Sequence, residues 1–204
     1  MKKYYLLLIL LVASLKMSAQ FGYGSFNFCG DYYWSVEAGV GISTISGLEG
    51  ASAKEGFYIG FHSFIPIDYD KFDLRSGFSY TSAGANVEGF KNPLVIHSLN
   101  FPLAFHYRPV SNFQVFAGGE MGTNLFGKLP SNVDNPNSLD DFEFMDTFTF
   151  LDAGILFGGG LILFDSLDIN VSYLLGMTNI SKVESQDWKK NILRVSVGYS
   201  FRDW

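Results

Sequence analysis

Hydrophobic and polar residues alternate with a period of two along most of the chain. From Leu193 to Phe201 every second residue is apolar or aromatic, and small or charged residues such as Arg194 and Ser196 stand between them. A β-strand points successive side chains to opposite faces, so this segment has one apolar face and one polar face. Helical periodicity is scarcely visible elsewhere. The same alternation predicts eight strands, at 34–43, 56–65, 71–80, 98–107, 113–125, 150–163, 167–178 and 193–201.

The connections between the predicted strands fall into two length classes. Three are tight, at 65–69, 108–112 and 164–166. The others are long and polar, near 44–55, 82–97, 127–147 and 179–191. Short turns and long loops lie at opposite ends of an up-and-down barrel, and an even strand count puts both termini at the end of the short turns. The sequence therefore predicts an all-β fold, an eight-stranded antiparallel up-and-down barrel.

The composition of the two faces indicates which of them points outward. A soluble exterior would carry more Lys and Glu and fewer glycines than the polar face does. The apolar face has hardly a charge, as lipid requires, because an Arg or Lys at the bilayer midplane costs about 2–4 kcal/mol. We therefore predict a transmembrane barrel with an apolar exterior and a filled polar lumen. Nine polar-face residues are interpreted as a structural network in that lumen: Glu37, His62, Asp73, Arg75, Glu120, Asp152, Asp168, Asn170 and Arg194.

Aromatic residues cluster near the predicted strand ends. Such residues favour the two interfaces of a membrane, where their rings form girdles. Because an open sheet edge cannot exist in hydrocarbon, the last strand is expected to pair with the first. The predicted interfacial aromatics are Trp34, Tyr80, Tyr107, Phe201 and Trp204.

The first residues predict export from the cytoplasm. Residues 1–19 contain Lys2 and Lys3, an apolar run from Tyr4 to Leu15 and small residues before the expected cleavage site, the features of a secretory signal peptide. The run of about 12 apolar residues is too short for a spanning helix, which needs roughly 20. We expect residues 20–33 to form a periplasmic lead and residues 34–204 to form the barrel. A single cysteine, Cys29, cannot make an internal disulfide.

Composition and charge agree with an ordered β protein. The 204 residues are 48% hydrophobic and 17% charged, which excludes a disordered polyelectrolyte. The 22 glycines, 21 phenylalanines and 11 tyrosines are typical of curved, aromatic-belted sheets. Removal of the signal takes away three lysines and changes the formal net charge from -6 to -9. Nucleic acid is therefore not an expected partner, because its phosphates would repel the chain.

Sequence motifs offer little catalytic chemistry. His97 and Ser98 resemble a hydrolase dyad, but neighbours on a strand point to opposite faces. His62 and His106 lack a third metal ligand. The acidic segment 134–146 has oxygen ligands that suit calcium but lacks the EF-hand spacing, and a solvated outer loop is expected there. We predict no catalytic residue, metal site or cofactor.

Several segments together resemble the PorT-like outer-membrane β-barrel family of Bacteroidota. The resemblance extends from about Trp34 to Phe201, and the segment before Trp34 has no counterpart in it. It implies a barrel in a Gram-negative outer membrane, in contact with lipid and with other envelope or secretion proteins, since some members are linked to type IX secretion. The family offers no catalytic residues to carry over. The segments that carry the resemblance are the export signal ending in SAQ, DLRSGFSYTSAG, LNFPLAFHYRP and LLGMTNIS.

Four functions follow from these observations as alternatives. The first is a non-enzymatic outer-membrane barrel with its termini in the periplasm, acting as a structural or assembly component of the envelope and associated with secretion. The second is a surface-loop binding or adhesion barrel, in which apolar loop residues would form a patch. The third is a soluble lipocalin-like carrier with the apolar face turned inward around a ligand, and the fourth is a lipid-modifying enzyme. The apolar loop residues that bear on the second are Phe90, Leu129, Phe142 and Phe144.

Overall fold

A computed structural model describes residues 32–68, 71–131, 144, 146–183 and 185–201. The predicted signal peptide, the lead up to residue 31 and Trp204 lie outside these residues. Within these described residues the fold consists of eight long strands and one short strand. Their bounds are β1 Tyr33–Ser46, β2 Ala51–Ser52, β3 Lys54–Asp68, β4 Phe72–Val87, β5 Leu94–Val110, β6 Phe113–Lys128, β7 Leu151–Leu163, β8 Leu167–Gly176 and β9 Lys189–Phe201.

The eight long strands close into an antiparallel barrel. Around the barrel the order is β1, β3, β4, β5, β6, β7, β8 and β9, and β9 pairs back onto β1. That closing ladder runs from Trp34 opposite Phe201 to Ser46 opposite Lys189. The short β2 adds only a brief pairing to β4. The predicted eight-stranded barrel is confirmed. None of the described residues belongs to a helix that is long and apolar enough to cross a bilayer.

The apolar faces of the strands point outward. On β5, Leu103 and Phe105 are 56% and 60% exposed, whereas the intervening Ala104 and the following His106 are buried. The same alternation runs along β9, where Arg194 is 2% exposed between outward neighbours. A lipocalin-like carrier requires the opposite arrangement, with charged side chains outside. The soluble-carrier alternative is therefore wrong.

The two ends of the barrel differ. The turn end holds the short connections after β3, β5 and β7, together with the start of β1 and the end of β9. The loop end holds the connections after β1, β4, β6 and β8. Each end carries a belt of outward aromatic rings. Near the turn end Phe72 stacks on Tyr107 at 4.8 Å and Trp34 stacks on Phe61 at 5.1 Å.

The loop-end belt crosses four neighbouring strands. Phe57 lies 5.7 Å from Tyr80, Tyr80 5.8 Å from His97, and His97 4.6 Å from Phe126, measured between ring centroids. Of the predicted interfacial aromatics, Tyr80 lies in this belt, while Trp34, Tyr107 and Phe201 are exposed toward the turn end. Two belts that bound an apolar band are the exterior expected of a membrane barrel.

β4 and β5 extend further toward the loop end than the alternation predicts. The loop predicted at 82–97 is mostly strand, because β4 continues to Val87 and β5 already begins at Leu94. In these extensions the polarity inverts: Ala83, Ala85, Leu94 and Ile96 point inward and are buried. The extensions lie beyond the loop-end belt, where the outer face no longer meets an apolar band. The pattern that identifies a membrane strand therefore disappears there, although the strand itself continues. At the other end β1 begins at Tyr33, one residue earlier than predicted.

Prediction for the lipid-facing wall. Val171 is half exposed at the centre of β8, and Ser172 is buried opposite Arg194. Val171→Arg should lower the free energy of unfolding by about 2–4 kcal/mol, because it places a cation in the apolar band. Urea titration of the barrel folded in lipid vesicles measures this loss. Val171→Ile, which keeps the surface apolar, should stay close to the wild type, and Ser172→Arg should instead crowd the lumen beside Arg194. Equal stability of the Arg and Ile variants at position 171 would overturn the assignment of faces.

Candidate functional site

The centre of the lumen holds a compact group of four polar side chains from three neighbouring strands. Glu37 projects from β1, Tyr58 and His62 from β3, and Arg75 from β4, and all four are buried. Arg75 Nη2 lies 3.0 Å from Glu37 Oε2, 2.9 Å from the Tyr58 hydroxyl and 2.7 Å from His62 Nε2. The Tyr58 hydroxyl also donates to Glu37 Oε2 at 3.1 Å. A buried carboxylate and a buried guanidinium thus compensate each other.

A second ion pair crosses the barrel. Arg194 on β9 donates to both carboxylate oxygens of Glu120 on β6, at 2.7 and 2.6 Å. Such a two-pronged contact is the strongest geometry for an Arg and a carboxylate. The Arg194 guanidinium also lies 5.0 Å from the centroid of the Tyr58 ring. Tyr58 therefore connects the Glu37 group with the Glu120 pair.

The turn end of the lumen is joined to the centre by a chain of amides. Gln114 donates to Asn170 Oδ1 at 2.9 Å, and Asn170 donates to Glu37 Oε1 at 3.0 Å. Nearer the turns, Asp73 accepts a hydrogen bond from the Tyr33 hydroxyl at 3.0 Å and pairs with Arg108 at 3.0 Å. These two sets of contacts involve side chains from five strands.

Asp168 lies apart from that chain, also at the turn end. It accepts a hydrogen bond from Ser200 on the neighbouring strand β9. Its contact therefore ties β8 to the last strand near the point where the barrel closes.

The loop end of the lumen is bridged by a lysine. Lys190 on β9 pairs with Asp152 on β7 at 2.6 Å. Its Nζ also donates to Ser98 on β5 at 3.2 Å and to Asn124 on β6 at 3.4 Å. Strands β9 and β5 are on opposite sides of the barrel, so this side chain reaches across the whole lumen. A recess beside it, lined by Asp152 and Gly176, admits about one water molecule.

Apolar side chains form two further clusters inside the barrel. One shares the lumen with the charged groups and consists of Ala83, Ala104, Phe116, Leu156, Leu174 and Ile192. The other, which we call the cap, closes the mouth at the loop end and consists of Ile45, Ala85, Leu94, Ile96, Phe144, Phe148 and Ile180. In the cap the rings of Phe144 and Phe148 stack at 4.8 Å. The sequence predicts a polar lumen. In the structure, charged groups share the lumen with apolar side chains, and the apolar cap covers both.

Glycines leave the space that the large polar groups occupy. A Cβ at Gly60 would collide with the His62 imidazole and the Tyr58 hydroxyl. A Cβ at Gly122 would collide with the side chains of Asp152 and Asn100. These glycines thus allow a narrow barrel to hold large polar side chains.

The structure places all nine sequence-predicted lumen residues in the interior, and each is buried. It brings Glu37, His62, Arg75 and Asn170 into one network and joins Glu120 to Arg194. Asp73 and Asp168 lie toward the turn end, and Asp152 lies toward the loop end.

Several lumen residues are missing from the predicted set, notably Tyr58, Lys190, Gln114 and Arg108. Position along the strand could have identified Tyr58, which is four residues from His62, and Lys190, which is four residues from Arg194. An even spacing keeps both members of each pair on the same strand face.

The other candidate motifs are separated or incomplete. His97 lies on the outer wall against Phe126, whereas Ser98 lies inside and binds Lys190. The two cannot act together as base and nucleophile. Within the described ranges, no group of three or more His, Cys, Asp or Glu side chains is placed to hold a metal ion. Most of the acidic segment 134–146 lies outside those ranges.

The apolar loop residues do not form one exposed patch. Phe90 is exposed, but Leu129 packs against the cap and Phe144 is buried within it. Phe142 lies outside the described residues. The adhesion hypothesis therefore loses two of the residues on which it depends, because they cover the mouth of the barrel instead of facing a partner.

Comparison with known proteins agrees with this architecture. A family model described as the outer membrane protein beta-barrel domain matches residues 18–182. The chain belongs to this family. The protein is therefore an integral outer-membrane β-barrel in contact with membrane lipid. No curated protein shows a match to the chain.

Solved structures show a similar fold at low sequence identity. Neisserial surface protein A (NspA) is 14% identical, with a TM-score of 0.54, and the match covers 81% of this chain and 96% of that one. The attachment invasion locus protein Ail of Yersinia pestis is 13% identical, with a TM-score of 0.49, over 84% of this chain and 100% of that one. OprG of Pseudomonas aeruginosa is 13% identical, with a TM-score of 0.40, over 84% and 96%. At 14% identity the likeness to NspA shows a shared fold.

Prediction for the cross-barrel pair. Glu120→Leu should destabilise the outer-membrane barrel by about 3–5 kcal/mol, because it leaves the Arg194 guanidinium buried without its carboxylate. Arg194→Met should destabilise it comparably for the converse reason. The double variant should recover most of the loss, since both charges are gone. Denaturant unfolding of the four proteins in lipid vesicles gives the coupling free energy. Strictly additive losses would show that the two charges do not depend on each other.

Proposed function

We propose that this protein is a non-enzymatic structural or assembly component of the Gram-negative cell envelope that works in secretion. It binds neither a cofactor nor a metal, and other envelope or secretion proteins are its partners. The PorT-like resemblance of segments such as LNFPLAFHYRP supports the link to secretion. Function then resides at the two ends of the barrel instead of in its lumen.

The filled lumen is the observation that carries this proposal. Lys190 reaches from β9 to Ser98 and Asn124 on the opposite wall, and Glu120 and Arg194 meet across the barrel below it. The cap closes the mouth above them. Eight-stranded barrels enclose a space that side chains can fill. A solute would have to break several buried charge pairs to pass, so transport through the interior is disfavoured.

The geometry also argues against the lipid-modifying enzyme. Such an enzyme needs a nucleophile, a base and an orienting acid that converge at the lipid-facing surface. His62 and His106 are buried in the lumen, which leaves His97 as the histidine on the outer wall. The His97 ring is stacked on Phe126, and its Nδ1 is bonded to the Tyr80 hydroxyl at 2.8 Å. Its hydrogen-bonding partner is thus a phenol and not a carboxylate.

The orientation that fits this function places the turn end and both termini in the periplasm. The loop end then faces the cell exterior, as in bacterial barrels with short periplasmic turns and longer outer loops. Partners in assembly or secretion would meet the turns from inside and the loops from outside. The barrel itself anchors both surfaces at a fixed position in the membrane.

Prediction for orientation. A protease-sensitive tag inserted after Gly89, where added atoms meet open space, should be cut in intact cells. The same tag inserted after Ser111, in the turn between β5 and β6, should be cut only after lysis. Heat-dependent electrophoretic mobility of the outer-membrane fraction verifies that each tagged barrel is folded. Cleavage of the Ser111 tag in intact cells, with the Gly89 tag protected, would reverse the orientation.

Prediction for function. Deletion of the gene should lower the amount of protein that the cells export to the medium, and expression of the wild-type chain should restore it. Uptake of small polar solutes should not change, because the lumen is filled. The control is an Arg108→Lys chain, which keeps the pair with Asp73 and should complement fully. Unchanged export together with reduced solute uptake would contradict the proposal and identify a channel.

A further inference from the structure

The ladder between β4 and β5 is interrupted in the middle of the wall. From the turn end the pairing runs in one register up to Ser76, and it resumes in the same register at Ser79. Positions 77 and 78 of β4, which lie between these two residues, are skipped. Among the described strands no other ladder skips positions that stay in register. The gap is therefore a specific feature of this strand pair.

A proline explains the gap. In this register Pro102 of β5 is the residue opposite Gly77. Proline has no backbone N–H, so it cannot donate a hydrogen bond to the Gly77 carbonyl. The loss of this one donor removes two pairs, because the pair at position 77 uses it directly and the adjacent pair at position 78 is bounded by it. The Gly77 carbonyl oxygen is left without its ladder donor.

The gap lies within the apolar band of the barrel. On β4, Gly77 lies between Phe72 of the belt near the turn end and Tyr80 of the loop-end belt. Hydrocarbon supplies no hydrogen-bond donor, so an unpaired carbonyl at this level is costly. A donor bound at the gap would remove that cost.

Polar atoms of the lumen lie near the gap on its inner side. His62 Nδ1 would be 3.2 Å from a Cβ at Gly77. The Ser79 hydroxyl is buried on the same strand, two residues from Gly77 and on the same face. Among the described residues, His62 Nδ1, the Ser79 hydroxyl and Arg75 Nε have no hydrogen-bond partner. The gap thus adjoins three polar lumen groups that can each make another hydrogen bond.

Gly77 keeps space for a ligand at the gap. Its φ of +142° is a conformation that residues with side chains rarely adopt, and a Cβ there would collide with the backbone of Phe61 and His62. On the outer face the half-buried Ser76 stands beside the gap, on the same side of β4 as the exposed Phe78. A hydroxyl side chain therefore lies next to the gap on the lipid side as well.

We propose that the gap between β4 and β5 is a binding site for the hydroxyl group of a small neutral molecule. This hydroxyl donates to the Gly77 carbonyl and bonds to the Ser79 side chain. Residues two apart on a strand are about 6.6 Å apart, so one oxygen atom can bridge them. A buried water makes about three hydrogen bonds to groups of this kind. Water from the lumen and an alcohol dissolved in the bilayer share this chemistry. The site does not depend on the proposed role in secretion.

The experiment uses the full barrel in vesicles of phosphatidylcholine, a lipid without a hydroxyl group. Solid-state NMR measures the transfer of magnetisation from water to the backbone. Transfer to Gly77 should be several times faster than transfer to Gly158, which lies opposite Ser172 in an unbroken ladder. Added dodecanol tests the bilayer as the source. Transfer from water identifies water as the occupant, and transfer from the first methylene group of dodecanol alone identifies an alcohol. Either result supports the site.

Two variants test the geometry of the site. Pro102→Ala supplies the missing N–H, so transfer to Gly77 should fall to the level of Gly158. Ser79→Ala removes the second partner and should lower the transfer without completing the ladder. Pro109→Ala, the matched change near the turn end of β5, should behave like the wild type. Heat-dependent electrophoretic mobility verifies that each barrel is folded.

Three results would overturn the proposal. The first is wild-type transfer to Gly77, from water and from dodecanol, that is no faster than transfer to Gly158. The second is undiminished transfer in folded Pro102→Ala, and the third is undiminished transfer in folded Ser79→Ala. None of them affects the proposed role in secretion, which the deletion strain tests independently.

Discussion

Closure of the backbone hydrogen-bond ladder is the constraint on which the rest of the structure depends. In hydrocarbon each unpaired backbone N–H or C=O costs several kcal/mol, so a sheet survives there only without edges. β9 meets this requirement by pairing with β1 along almost its whole length, up to Phe201 opposite Trp34. The strict alternation near the end of the described chain follows from this role. The last strand must present an apolar outer face and complete the wall at the same time.

Closure with eight strands also determines what the interior can be. The lumen is narrow enough for side chains from opposite walls to touch, as Lys190 and Ser98 do. A polar group in such a space has few waters, so it must find a protein partner. Glu37, Asp73, Glu120 and Asp152 each pair with a cation, and three of these pairs, all except Asp73 with Arg108, join strands that are not neighbours. The pairs are therefore ties between walls as well as compensation for burial.

The fold could be predicted because a period of two is a property of single strands. The same periodicity puts Glu37, Asp73 and Arg194 on the inner face, where the structure has them. It cannot give contacts such as Glu120 with Arg194, since these depend on the relative heights of strands that do not pair. It also fails where the environment changes. Beyond the loop-end belt Ala83 and Ala85 turn inward, and a segment with no apolar outer face resembles a loop.

The division between a filled interior and an exposed rim constrains where function can evolve. Lumen charges are bonded to one another, so a substitution such as one at Glu120 lowers the stability of the barrel. Its effect on activity then follows from the smaller amount of folded protein. At the rim, side chains such as Phe90 and Lys128 are exposed, so we expect their substitution to affect stability less. Selection can therefore change contacts with lipid or protein at the rim without disturbing closure. The barrel fold alone therefore does not determine what the rim binds.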